Sequence, residues 1–442
     1  MMMKHLPLSI TLFLVCTVVL QAQYTWQLLS QSPQNGQKQD DIFMLSPQLG
    51  YAVNGSGRIF RTTDGGLSFT KLLDQPGTYF RCIGFTDSLH GFAGNIGTNY
   101  FPGVTDQTPL YETKDGGASW AAVTTINGPV PVGLCAINIV NQQIIYAAGR
   151  VGGPAFLLKT SNGGASWQST DLGGYISMVT DVWFPSADTG FVFGGTDPNV
   201  QFSKAKIIQT TDGGQNWKVV YEGTRTFELC WKAHFPSTQT GYVTLLSYVP
   251  NLPARFIAKT VDGGQTWADL PFTNNGNKAF GIGFLDDNIG WVGCDNSLYE
   301  TQDGGQNWTI KNVGQYINKI RVLKTPEKNV VFGIGTRIWR MVQSLVSIDE
   351  KVGTSEQPIK VYPNPAIDSL SVEYTLDKKA KVGLQLFDTN GILALQHTAE
   401  QEAGLQTQQF NTHDLPAGAY VLVLLVNGIR QTETVVLLGA KP

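Results

Sequence analysis

A polar turn that recurs six times at nearly even spacing constrains the fold of this chain more than any other feature. Each copy runs from Thr through Asp or Asn and two glycines to an aromatic residue, as in Thr62 to Phe69 and Thr113 to Trp120. Successive copies lie 51, 47, 50, 50 and 41 residues apart. A fixed period of about 40 to 50 residues indicates a repeat architecture, with one supersecondary unit in each repeat. The acidic or amide position falls at Asp64, Asp115, Asn162, Asp212, Asp262 and Asp303.

Each repeat is typical of four short strands joined by tight turns, which is one blade of a β-propeller. A strand that ends in Phe is followed by a polar turn and a Gly-aromatic pair, as in Phe85 to Phe92. A seventh unit near residues 317–340 lacks the recurring turn and a Trp-led fourth strand. Residues 24–30 resemble that missing strand, so we expect them to close the last blade and remove an exposed sheet edge. The predicted fold is all-β, a seven-bladed propeller, with six or eight blades as alternatives.

The chemistry of the turn explains its composition without catalysis. An Asp or Asn side chain accepts hydrogen bonds from nearby backbone N–H groups, and glycine adopts backbone conformations that other residues resist. Asn162 replaces the carboxylate by a neutral amide, which a metal ligand or a catalytic acid would not tolerate easily. We therefore predict a structural role for the six turns and for the tryptophans that follow them, Trp120, Trp167, Trp217, Trp267 and Trp308.

This turn resembles the Asp-box repeat of sialidase-type propellers. The fuller unit, Phe-x5-Gly-aromatic followed by Thr-x-Asp-Gly-Gly-x-x-Trp, is similar to the photosystem II assembly and stability factor propellers over about residues 24–345. The resemblance implies the fold and says little about function, because such relatives include assembly factors, glycosidases and sortilin-like receptors.

After an exposed linker at residues 346–358, residues 359–442 form a second series of alternating strand-like runs, long enough for a small Ig-like β-sandwich. Three ordered motifs in it resemble the C-terminal sorting domain of type IX secretion cargo in Bacteroidetes-like bacteria. The resemblance implies passage across the outer membrane by the secretion machinery, with the mature part released or attached to the surface. The motif residues are Tyr362, Pro363, Asn364, Pro365, Gly391, Gly418 and Tyr420.

The first residues are typical of an export signal. Lys4 precedes an almost wholly apolar run, Leu6 to Leu20, which is short for a membrane span of about 20 residues. We predict a cleaved signal peptide at residues 1–22, no transmembrane segment in the mature chain, and a secreted or outer-surface location. The signal leaves four cysteines, open to two disulfides in three pairings or to buried free thiols. They are Cys82, Cys135, Cys230 and Cys294.

The sequence carries no nucleophile, zinc or phosphate-loop motif, so it predicts no catalytic residue, metal or cofactor. A net charge of −3 and a pI near 6.0 do not indicate nucleic-acid binding. The favoured function is a protein- or glycan-binding recognition or assembly scaffold. The alternatives are a sialidase- or xyloglucanase-like hydrolase, which would need paired carboxylates such as Asp41 and Asp181, and a purely structural surface component. A possible binding face comprises Arg81, Asp181, Lys232, His234, Lys319 and Arg321.

Overall fold

The computed structural model describes residues 24–34, 38–325, 328–344, 359–388, 393–413, 415–426 and 429–438. The predicted signal peptide, the predicted linker and Gly391 lie outside these residues. The chain divides into two compact units, Met1–Gln343 and Ser344–Pro442. Every regular element within the described residues is a β-strand, so the all-β prediction is confirmed.

The first unit contains seven sheets among its described residues, which we call blades 1 to 7 in chain order. The first strand of the chain, β1 (Trp26–Leu28), belongs to the last blade. Blade 1 contains β2 (Gln39–Met44), β3 (Gly50–Asn54), β4 (Arg58–Thr62) and β5 (Thr70–Asp74). Blade 2 contains β6 (Phe80–Phe85), β7 (Gly91–Asn95), β8 (Leu110–Thr113) and β9 (Ala121–Ala122). Blade 3 contains β10 (Ile126–Asn127), β11 (Ala136–Ile139), β12 (Ile145–Gly149), β13 (Phe156–Thr160) and β14 (Trp167–Asp171).

Blades 4 to 6 begin with their innermost strand, as blades 1 and 2 do, whereas the short β10 of blade 3 is outermost and pairs with β14. Blade 4 contains β15 (Met178–Trp183), β16 (Gly190–Gly195), β17 (Lys204–Thr210) and β18 (Lys218–Thr226). Blade 5 contains β19 (Glu228–His234), β20 (Gly241–Ser247), β21 (Arg255–Thr260) and β22 (Ala268–Thr273). Blade 6 contains β23 (Ala279–Phe284), β24 (Gly290–Cys294), β25 (Leu298–Thr301) and β26 (Thr309–Lys311). Blade 7 adds β27 (Lys319–Lys324), β28 (Lys328–Ile334) and β29 (Ile338–Ser344).

The innermost strand of each blade contacts that of the next, and β27 of blade 7 contacts β2 of blade 1, so the blades close into a ring. Strand β1 pairs antiparallel with β29, with Trp26 opposite Met341. The prediction that residues 24–30 supply the outer strand of the last blade is therefore confirmed. Closure of this kind leaves blade 7 without an unpaired outer edge on β29.

The Phe-x5-Gly pattern has a packing explanation. A Cβ added at Gly91 would lie 2.5 Å from the ring of Phe85, and Gly290 is placed likewise against Phe284. Phe85 in turn stacks on Tyr51 of the preceding blade, with ring centroids 3.7 Å apart. The glycine thus makes room for a ring that joins two blades, and such stacked pairs add to the area they bury.

The second unit has its own core between two sheets. The first sheet contains β30 (Lys360–Tyr362), β31 (Ser369–Leu376) and β34 (Gly404–Asn411). The second contains β32 (Ala380–Asp388), β33 (Leu393–Gln401), β35 (Gly418–Val426) and β36 (Ile429–Leu437). Burial alternates strictly along β31, as expected when one face of a strand packs on a core. This arrangement fits the predicted Ig-like sandwich.

The four cysteines of the first unit that the structure describes are buried free thiols. Burial raises the pKa of Cys82, Cys230 and Cys294, which keeps these groups in the unreactive thiol form. Of the two possibilities that the sequence left open, the structure has free thiols.

Candidate functional site

The six recurring turns share one hydrogen-bond pattern. In the copy at Asp115, Thr113 Oγ1 donates to the carboxylate (2.9 Å) and accepts from Gly117 N (2.8 Å). Ser119 donates to the same carboxylate from its backbone N–H (2.9 Å) and from its hydroxyl (2.6 Å). These bonds, together with positive φ at Gly116 and Gly117, account for the whole motif as a local turn.

Asn162 keeps this geometry with the charge removed. Its Oδ1 accepts from Ser166 N (3.0 Å), and its Nδ2 donates to Ser166 Oγ (2.9 Å), so the hydroxyl simply reverses its role. The second glycine of this copy also faces the preceding blade, because a Cβ at Gly164 would lie 2.5 Å from the ring of Phe92. The turns therefore lie where neighbouring blades meet.

We call the end of the ring that carries these turns the turn side, and the opposite end the loop side. Five of the six residues predicted for a binding face line one cavity of about 210 Å³ at the turn side of the central channel. Partly buried rings of Phe43, Trp183 and Phe235 also line it. The five residues come from the innermost strands of blades 4, 5 and 7, and they are Asp181, Lys232, His234, Lys319 and Arg321.

Arg321 forms a two-pronged ion pair with Asp41, with N–O distances of 3.1 and 2.9 Å. Asp41 also accepts backbone N–H bonds from Ile42 (2.9 Å) and Ile83 (3.3 Å). Burial opposes ionisation of Asp41, but the charges of Arg321 and Lys319 outweigh it and lower the pKa of this carboxyl. Asp41 is therefore an ionised, fully engaged carboxylate.

Asp181 is shared by two lysines, with Lys232 Nζ at 3.6 Å and Lys319 Nζ at 3.7 Å from its Oδ1. The pKa of Asp181 is lowered, because these cations outweigh the effect of burial. Lys232 is 3% exposed, and burial lowers its pKa to about 7 although Asp181 opposes the shift. Lys232 Nζ also donates to the carbonyl of Thr180 at 2.6 Å.

His234 is held neutral in this pocket. Burial and the nearby Lys324 and Arg321 lower its pKa to about 3. The backbone N–H of Phe284 donates to His234 Nδ1 (3.2 Å), so the proton of the neutral ring lies on Nε2. The residue thus adds a hydrogen-bond donor, and no positive charge, to the cavity lining.

Arg81, the sixth predicted residue, does not line this cavity. It pairs with Asp40, and its guanidinium lies over the ring of Trp231, 5.3 Å from the centroid. A register shift between Phe80 and Cys82 leaves Arg81 outside the regular strand pairing. Similar shifts interrupt the innermost strands of blades 1, 4, 5 and 6, and no sequence signal marked them. Sequence reasoning missed Asp40 for the same reason.

The loop side is covered by two long insertions between strands, residues 96–109 in blade 2 and residues 196–203 in blade 4. Tyr100 from one and Val200 from the other join a single apolar cluster with Trp231 and Tyr248. Phe101 stacks on Tyr79 with ring centroids 4.8 Å apart. Arg150 Nη1 donates to the carbonyl of Thr98 (2.5 Å), which ties the insertion of blade 2 to the segment that follows β12 in blade 3. The cavity of about 210 Å³ lies at the opposite end of the channel, on the turn side.

The sorting-motif residues that the structure describes lie at one end of the second unit's strands. Asn364, between Pro363 and Pro365, donates to Thr434 O (2.8 Å) and accepts from Val436 N (2.9 Å), which fixes the motif to β36. The hydroxyl of Tyr420 donates to Pro416 O at 2.9 Å. Tyr362 is 45% exposed, and Gly418 begins β35.

Within the described residues, no group of three or more His, Cys, Asp or Glu side chains is placed to hold a metal ion. The described part of the chain also has no helix long and apolar enough to cross a membrane.

Comparison with known proteins assigns the second unit. Residues 360–437 match the family model of the secretion system C-terminal sorting domain. The chain is a β-propeller fused to a type IX secretion sorting domain, and it is secreted or attached to the cell surface.

The first unit is similar to proteins of two kinds. Over 201 residues it is 28% identical to xyloglucanase Xgh74A of Acetivibrio thermocellus, covering 38% of this chain and 23% of the relative. It is 25% identical over 276 residues to the photosystem II assembly lipoprotein Ycf48 of a Synechococcus species, covering 52% and 75%. The chain thus spans about a quarter of the length of the xyloglucanase it matches.

Among solved structures, YCF48 bound to D1 peptide superposes with a TM-score of 0.53 at 18% identity. The match covers 73% of this chain and 98% of the other. At this identity the likeness shows the propeller fold alone.

Proposed function

We propose that the protein is a secreted or surface-attached recognition scaffold that binds a partner through its propeller and does not hydrolyse glycans. One observation carries the proposal: both carboxylates at the turn side of the channel, Asp41 and Asp181, are engaged by cations and have lowered pKa values. A glycosidase needs one carboxyl group that keeps a proton to donate to the leaving group. Neither of these groups is suited to that role.

The scaffold proposal also agrees with one structural neighbour, YCF48, which has been solved with a D1 peptide. A peptide or protein ligand on this propeller would be in keeping with that example.

A glycan-active hydrolase is the second candidate, favoured by the partial similarity to xyloglucanase Xgh74A. Reducing-end release by the purified secreted protein, over a broad panel of polysaccharides and sialosides, separates the two functions. We expect no turnover on any substrate. Turnover that disappears in both Asp41→Asn and Asp181→Asn would establish a hydrolase and refute the scaffold.

A purely structural surface component is the third candidate. Binding of a specific ligand to the purified protein separates it from a scaffold. A component without any ligand would give no saturable binding in such a measurement.

A further inference from the structure

The turn-side cavity is lined by hydrogen-bond donors that outnumber its acceptors. Lys232, Lys319 and Arg321 carry positive charge, and His234 supplies an Nε2–H. The neighbouring carboxylates, Asp41 and Asp181, number only two and are already engaged. Two lysines share Asp181, and neither Nζ comes closer than 3.6 Å to it. Lys232 Nζ has the carbonyl of Thr180 at 2.6 Å, but Lys319 Nζ lies 3.7 Å from its carboxylate, and a buried cation this far from its counter-charge is costly, which favours an incoming anion.

We propose that this cavity binds one carboxylate group, presented by an acidic side chain or a chain terminus of a protein partner. The inference rests on the proposed function, because it names the ligand chemistry of the scaffold. Lys319 is its main contact. Its Nζ is 3.7 Å from Asp181, beyond hydrogen-bond distance, and it lines the cavity. Lys232 and the Nε2–H of His234 supply the remaining donors.

The same lining argues for a peptide carboxylate over an acidic sugar. A sugar brings several hydroxyl groups, each of which needs an acceptor when it is buried. The acceptors around this cavity are committed to Arg321, Lys232 and Lys319. A carboxylate of Asp, Glu or a chain terminus has only acceptor atoms. The cavity of about 210 Å³ suits one such group, and the rings of Trp183 and Phe235 can cover its aliphatic part.

Binding is expected to be linked to the protonation of Lys232. The charged and titratable groups around Lys232 come from several blades, and they are Asp181, Lys319, Arg321, Asp41, Arg81, Cys135 and His234. An anion favours the charged ammonium, so affinity is highest below the pKa of Lys232 and falls as pH rises through about 7. His234 stays neutral over this range.

The test is calorimetric titration of the whole secreted protein with glutarate, glucuronate and inorganic phosphate at pH 6.0 and pH 8.5. We expect saturable glutarate binding at pH 6.0 that weakens about tenfold at pH 8.5, because one proton is linked to it. Lys319→Met should weaken glutarate binding about tenfold or more, as the loss of a charge-assisted hydrogen bond predicts. Lys218→Met is the matched control, since Lys218 is exposed on the outer strand β18 of blade 4, and it should bind like the unmodified protein.

Lys319→Arg keeps the charge and should retain binding, which separates loss of the site from loss of folding. Absence of glutarate binding at pH 6.0, or equal affinities of the Lys319→Met and Lys218→Met proteins, overturns the inference. Tighter binding of glucuronate than of glutarate overturns the assignment to a protein partner in favour of an acidic glycan. Phosphate bound as tightly as glutarate means that the site does not select carboxylates. None of these results tests hydrolysis, so the polysaccharide assay judges the proposed function separately.

Discussion

The six turns and the central channel belong to the same blades, but they differ in how strictly they repeat. Every turn uses the same Thr, the same Asp or Asn and the same pair of glycines, and the bonds around Asp115 reappear at Asp303. The channel has no such repeat, because its innermost strands contribute carboxylates in some blades, such as Asp41 and Asp181, and a cation in others, such as Lys232. The turns repeat because their strands must be joined with the same geometry in each blade. The channel does not repeat, and it holds the charges that are available to a ligand.

The largest effect is expected from Gly164→Ala in the repeated part. Gly164 has a φ of +93°, and a Cβ there would lie 2.5 Å from the ring of Phe92. Backbone strain and overpacking together should lower the free energy of unfolding by about 4 kcal/mol. Denaturant unfolding of Gly164→Ala and of the control Gly174→Ala measures this. Gly174 has open space around its Cβ position, so equal losses in the two variants would contradict a steric role for the second glycine.

The second-largest effect is expected from Asp41→Asn in the channel, compared with Asp115→Asn in one of the turns. Both oxygens of Asp41 accept from N–H groups, so the amide of Asp41→Asn would face donors and leave Arg321 without a carboxylate. We expect a loss of about 3 kcal/mol at pH 7, the low end for a broken buried pair because the Arg321 side chain keeps 30% exposure.

Asp115→Asn is the matched control, because Asn162 already occupies the equivalent position. Its denaturation midpoint should not change measurably. The pKa of Asp41 is lowered in the folded state, so its contribution is present above the ordinary range of about 4 and is lost as pH falls. If Asp41→Asn lowers the free energy of unfolding as much at acidic pH as at pH 7, this account is contradicted.

The smallest effect concerns the pH dependence of the channel. The pKa of Lys232 is about 7 in the folded protein and returns to its ordinary value, about 10.4, on unfolding. Between these values the unfolded chain binds more protons, so stability rises with pH. Lys232→Met should remove this dependence of stability on pH. The difference in unfolding free energy between the variant and the unmodified protein should therefore be more favourable to the variant at pH 7 than at pH 9, by roughly 2 kcal/mol. Parallel stability–pH curves for the two proteins would contradict the lowered pKa.

The sequence predicted the repeated region well because its determinants are local. The turn at Thr113 to Trp120 needs only residues within a few positions of each other, and the closing strand at Trp26 copies a pattern seen in the other blades. The channel was harder to predict. The places of Asp181, Lys232 and Lys319 on inner strands predict a shared face, and these residues line one cavity, whereas Arg81 pairs with Asp40 and does not line it. That pairing depends on a register shift, which leaves no mark in composition or periodicity.

The pairing of β1 with β29 sets the order in which this protein can mature. Strand β1 stays without its partner until residues 338–344 have been made, so the ring cannot close while the blades between them are being synthesised. Once the ring is closed, the pairing of β1 with β29, which we call the latch, consists wholly of strands from the first unit. Among the described strands, none from residues 360–437 takes part in it. Proteolytic removal of the sorting domain after export would therefore leave the latch in place, and the propeller delivered outside the cell would remain a closed ring.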